Sequence, residues 1–161
     1  ENQKIYFCAG FFVLDFESGK DIHHIDFAML EKNSIATFLL EDGVNLHISE
    51  SANKKLPQEI KTEIKTDLDA LKGVIEDSMK EHKVTKKLNK IIAVVQEIDG
   101  KVIWNLSCIL EGFSILKAHV DDESSSVIRF EKASLFDFVR REEGNANRKE
   151  ENPSEKNKEK L

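Results

Sequence analysis

The sequence predicts an α+β domain: about eight antiparallel strands, in two meander groups of four, packed on one long amphipathic helix, with a short C-terminal helix. Two patterns carry that expectation. Between residues 57 and 82, Ile60, Ile64, Leu68, Leu71, Ile75 and Met79 recur at spacings of four, four, three, four and four. Such spacing lays a single apolar stripe along a helix. On either side, runs of β-branched and aromatic residues are separated by turns containing Gly and Asp, as hairpin-linked strands are.

Residues 4–16 and 21–30 flank Glu17-Ser18-Gly19-Lys20, a hairpin signal. The first of these strands is apolar on both sides. Tyr6, Cys8, Phe12, Leu14 and Phe16 alternate with Ile5, Phe7, Phe11 and Val13. A tight turn at Ser18-Gly19 sets Leu14 opposite His23, Phe12 opposite Ile25 and Phe11 near Asp26. Residues 33–42 fit either a helical turn or a strand, and the strand is favoured. Residues 44–49 alternate cleanly, with Val44, Leu46 and Ile48 on one side.

The helix expected at 57–82 opens at Pro57, whose missing N–H costs nothing in a first turn. It closes at His82 and Lys83, where the carbonyl end favours positive charge. Gly73, in mid-helix, suggests close approach of a strand. Four further strands follow at 91–98, 102–110, 113–120 and 127–132. Asp99-Gly100 favours a two-residue type I′ turn, because both residues tolerate positive φ. That turn pairs Ile98 with Lys101, Val95 with Trp104 and Ala93 with Leu106. Ile91, Ala93, Val95, Trp104, Leu106 and Cys108 then share one face. A short helix is expected at 134–140. The motif Asp15-Phe16-Glu17-Ser18 is echoed by Asp121-Asp122-Glu123-Ser124, a hint of duplication.

The 161 residues suit one domain, placed at 4–140. Residues 141–161 hold six basic and six acidic side chains and almost nothing apolar. Such a segment cannot offset its ordering entropy, so it is expected to be a disordered charged tail. The net charge of −6 therefore sits on the domain. An acidic domain argues against nucleic acid as partner. The cluster Lys83, Lys86, Lys87 and Lys90 reads as a solvated strip. No apolar run is long enough to span a membrane. The expected compartment is the cytoplasm, with a signal removed ahead of Glu1 as the alternative.

No catalytic constellation converges. Cys8 and Cys108 lie in apolar strands with no histidine or cation beside them, as buried thiols do. The glycines are isolated at turns, so no phosphate loop exists. Consecutive strand residues point oppositely, so His23 and His24 cannot share a metal. The metal candidates are His24 and Asp26, with His47 from another strand; no metal and no cofactor is expected. Asp121-Asp122-Glu123 lacks calcium-loop spacing and reads as a solvated turn.

The doubly apolar first strand is the unusual feature. One helix cannot cover both faces of a broad sheet, so Phe7, Phe11 and Val13 need a second layer. They are the interface or ligand candidates. The expected function is a non-catalytic binding or adaptor module that engages protein, with a homodimer as one form. The alternative is a small-molecule or lipid carrier with an aromatic-lined cavity, and an enzyme ranks third.

Overall fold

A computed structural model describes residues 4–52 and 55–134. Four strands precede the helix: β1 (Ile5–Asp15), β2 (Ile22–Met29), β3 (Ser34–Leu39) and β4 (Asn45–Glu50). A 3₁₀ turn, Leu68–Ala70, leads into α1 (Leu71–Glu81). Four more strands follow: β5 (Leu88–Ile98), β6 (Lys101–Leu110), β7 (Ser114–Asp121) and β8 (Ser126–Ser134). All eight form a single antiparallel sheet in the order β4-β3-β2-β1-β5-β6-β7-β8. The expectation of an α+β fold on one long helix is corrected by this. The protein is mostly antiparallel β-sheet, and its helix is short.

The helix is short because its first half spends its backbone groups elsewhere. Ile60 N–H donates to the Phe7 carbonyl, and the N–H groups of Lys65 and Thr66 donate to the Asp122 carboxylate. Asp67 then caps the 3₁₀ turn, its side chain accepting from Asp69 N–H. Ile60 still reaches the core, with Ile64 and Leu68 packed against it, but from irregular chain. A period of two was also present: Ile60, Thr62, Ile64 and Thr66 are all β-branched. That alternation opposes helix, and the apolar stripe concealed it.

At its other end α1 closes as expected. His82 Nδ1 lies 2.8 Å from the Ser78 carbonyl, and Lys83 takes φ 56° so that Val84 N–H can reach the Met79 carbonyl. A Cβ at Gly73 would meet nothing within 4 Å, so no strand approaches there. The glycine that space demands is Gly10, where a Cβ would sit 2.6 Å from the Phe12 ring.

The Asp99-Gly100 hairpin has the expected geometry, with φ of 51° and 81°. Val95 faces Trp104 and Ala93 faces Leu106. Residues 33–42 contain a strand rather than a helical turn. The β1–β2 register differs from expectation by two residues: Phe12 faces His23 and Phe11 faces His24. The cause is a longer turn. Asp15 Oδ1 accepts from Glu17 and Ser18 N–H, and Asp21 Oδ1 accepts from Asp15 N–H, so six residues are needed to reverse the chain. A bulge between Phe7 and Ala9 also exchanges the strand's faces. Phe7 therefore joins the helix side, packed on the core, while Phe11 and Val13 face away.

The core lies between α1, residues 60–68 and the helix side of β1 and β5–β8. Leu71, Ile75, Ile91, Val95, Leu116 and Val120 are its fully buried large side chains. The short helix expected at 134–140 and the tail at 141–161 lie outside the described residues, save Ser134, which ends β8.

Candidate interaction surfaces

After β4 the chain crosses one end of the sheet, where Tyr6 OH donates to the Pro57 carbonyl, and reaches the β7–β8 turn. There it is pinned by Asp122, which is 3% exposed. Its carboxylate accepts from Trp104 Nε1 at 2.8 Å as well as from the two backbone amides, and its carbonyl accepts from Thr66 Oγ1. The expected solvated turn is thus a buried latch in which every Asp122 oxygen is engaged. It holds α1 over β5–β8 and leaves the helix side of β2–β4 without such cover.

That uncovered half is floored by aromatic rings. Phe7 and Phe27 lie 5.9 Å apart between centroids, Phe27 and Phe38 5.6 Å, and Phe12 packs on both His23 and buried Trp104. Register places Ile25, Phe27, Phe38, Leu46 and Ile48 on this side, together with Met29, Ser34 and Ala36, which are buried toward the β2–β3 turn. Phe27 and Phe38 are half-buried, and exposure rises at the edge: Val44 is 71% exposed, Leu46 56% and Ile48 54%. β4 is exposed along its whole length. Ser51 N–H donates to the Asn33 carbonyl in the β3–β4 register. Since bonding alternates along an antiparallel ladder, the amides of Leu46, Ile48 and Glu50 point outward. Sequence reasoning found the alternation of Val44, Leu46 and Ile48 but not their exposure, because alternation does not say which strand ends the sheet.

The opposite face carries Phe11 and Val13. Phe11 stacks on His24, with centroids 5.5 Å apart, and Val13 pairs with Ile22 and Ile92. Ile60, Ile64 and Leu68 of the connecting segment pack in the helix-side cluster, whereas Leu56 and Pro57 line a cleft beside Ile35 on this face, and Val13 itself is buried. The three interface candidates therefore divide, Phe7 on one side and Phe11 and Val13 on the other.

His24, Asp26 and His47 share that opposite face but do not meet. Thr37 lies between Asp26 and His47 and donates to Asp26 Oδ1 at 2.6 Å. His24 Nε2 pairs instead with Glu41 Oε1 at 3.1 Å, and Glu41 Oε1 also accepts from His23 N–H. Among the described residues no three such side chains form a group able to hold a metal.

Both cysteines are free and buried. Burial pushes the Cys8 thiol up to about 11 and the Cys108 thiol up to about 12, so neither is a ready nucleophile. A cleft of about 760 Å³ beside Ile35, Glu50, Leu56 and Pro57 opens broadly to solvent. None of the described helices is long and apolar enough to cross a membrane.

No protein-family model and no curated protein sequence matches the chain. A crystal structure of a "putative lipoprotein" from Clostridium difficile 630 superposes with a TM-score of 0.55 at 8% identity. The match covers 80% of this chain and 83% of that one. At that identity the likeness is one of fold alone.

Proposed function

We propose that this chain is a non-catalytic protein-binding module, and that its contact surface is the helix side of the sheet at its exposed edge, β3–β4. The observation that supports this reading is the edge strand β4. Val44, Leu46 and Ile48 stand in solvent beside the Phe27 and Phe38 rings, along a row of outward-facing amides. An extended partner strand added to β4 would bond those amides and cover the side chains together. A second copy of the chain could supply that strand, which is the homodimeric form of the same reading. Phe11, half-buried on the opposite face beside the buried Val13, would form a second contact.

The test is a photo-crosslinking residue at position 48 in the full chain, with sedimentation of wild type and the double variant Leu46→Asp, Ile48→Asp. The reading expects an adduct or a self-associated species, absent from the folded double variant. A monomeric wild type that yields no adduct would overturn it.

A second reading, an apolar-ligand carrier, is favoured by the ring floor of Phe7, Phe12, Phe27 and Phe38. Saturable binding of an apolar fluorescent probe, abolished by Phe38→Asp, would support it over the adaptor. On compartment, the free thiols suit the reducing cytoplasm. The lipoprotein of similar fold suits a surface setting instead, and fractionating cells that carry the tagged chain separates the two.

A further inference from the structure

The corner where β5 begins and β6 turns into β7 carries two features that neither surface above explains. The first is Phe113. It closes the three-residue turn 111–113 with φ 57°, directly after Gly112 at φ 74°, and 78% of its surface is exposed. A bulky side chain is disfavoured in the left-handed region, where Gly or Asn is easily accommodated. The ring gains nothing from burial in return. A turn under no other demand would not place phenylalanine there.

The second feature is charge. Lys86 donates to Ser114 Oγ, next to Phe113, and Glu111 N–H donates to the Lys87 carbonyl at 2.9 Å. Lys83, Lys86 and Lys132 line a hollow of about 260 Å³ beside the turn, together with Val84, Leu110 and Ile115. Lys83, Lys86, Lys87 and Lys132 are all exposed. None of the four pairs with a carboxylate among the described residues. Lys90, further along β5, is held by Asp15 at 3.0 Å. Four exposed lysines without a carboxylate partner among the described residues thus gather at the corner that carries the protruding Phe113 ring, on a chain whose net charge is −6.

We propose that this corner docks peripherally on an anionic phospholipid surface, with Phe113 entering the headgroup region and the lysines meeting the lipid phosphates. A ring at a loop tip partitions into the interface while neighbouring cations are drawn by the negative surface potential. The remainder of the acidic molecule is repelled by the same surface, which orients the approach through this corner. A nucleic-acid duplex would use the lysines without the ring, and a single strand, whose bases could stack on Phe113, is opposed by the net charge of −6 on the chain.

The experiment mixes the full chain with vesicles of phosphatidylcholine alone, or of phosphatidylcholine with phosphatidylserine, and measures co-sedimentation at low and high salt. Wild type should bind the phosphatidylserine vesicles and release them as salt rises. Neutralising Lys87 and Lys132 to Ala should weaken binding about five-fold per lysine. Phe113→Asn, which suits the turn's φ, should keep the fold and lower binding several-fold. All variants retain residues 135–161, so the contribution of that segment is constant. Trp104 is buried, so Phe113→Trp supplies a reporter whose emission should shift to the blue on vesicles. Absence of a preference for phosphatidylserine, or of the blue shift, would overturn the proposal. So would vesicle binding untouched by the lysine and Phe113 variants, or binding to a duplex or single-stranded oligonucleotide tighter than to the phosphatidylserine vesicles.

Discussion

The two halves of the sheet are built alike and buried differently. β1–β4 and β5–β8 are each four-stranded meanders, and each winds outward from the central β1–β5 pair. In β5–β8 the inward residues Ile91, Ala93, Leu116, Ala118 and Val120 are fully buried. The two edges give the direct contrast: β4 leaves Leu46 56% and Ile48 54% exposed, whereas β8 keeps Val127 and Phe130 half-buried against the core. The contrast teaches that strand pattern sets which side chains share a face, whereas burial depends on where the connecting chain is pinned. Here the pin is Asp122, on the β7–β8 turn.

The comparison can be broken most forcefully at Trp104, which belongs to the covered half and bonds the latch. Trp104→Ala should cost about 3–5 kcal/mol in urea unfolding, through a large cavity. A cost near zero would mean that the covered half is not the stable one. Asp122→Ala comes next. It orphans the Trp104 indole and two backbone amides, and should lose about 2–3 kcal/mol. It should also speed proteolysis within 55–67, detected by mass spectrometry of the fragments.

A smaller effect is expected at the β1–β2 turn, in the barer half. The Ser18 N–H and then Lys90 hold the Asp15 carboxyl well below the usual carboxylate range. A carboxyl depressed on folding stabilises the native state above its unfolded value of about 4 and loses that effect as pH falls. The melting temperature of wild type should therefore decline below about pH 4 more steeply than that of Asp15→Asn. Parallel curves would show that the turn does not depend on this charge. The least effect is expected at the bare edge, where Leu46→Ala should change stability by no more than about 0.5 kcal/mol. A loss as large as a core deletion would sharpen the comparison differently, by showing that β4 is covered in solution by another chain.

Local chemistry was the legible part of the chain. The Asp99-Gly100 turn, the pairing of Val95 with Trp104, and the burial of both cysteines follow from turn preference and two-residue alternation. The repeated Asp-x-Glu-Ser motif is explained in the same way. Asp15 and Asp121 each accept from the N–H three residues on, at 3.0 Å, so the likeness is one of turn chemistry. The two motifs lie at β1–β2 and β7–β8, which do not correspond between the meanders.

By itself, then, the sequence determined strand count, the β5–β6 register and the inward residues of the covered half, because these depend on neighbours along the chain or across one short turn. Only the tertiary structure decided three other things. Residues 57–67 are not helix, since Asp122 and Phe7, distant in sequence, take their amides. Phe7 left the company of Phe11 and Val13, since a bulge in β1 reverses which way each side chain points. And β4 became the uncovered edge, since strand order in a sheet is set by packing between strands far apart in the chain, which no single strand's alternation encodes.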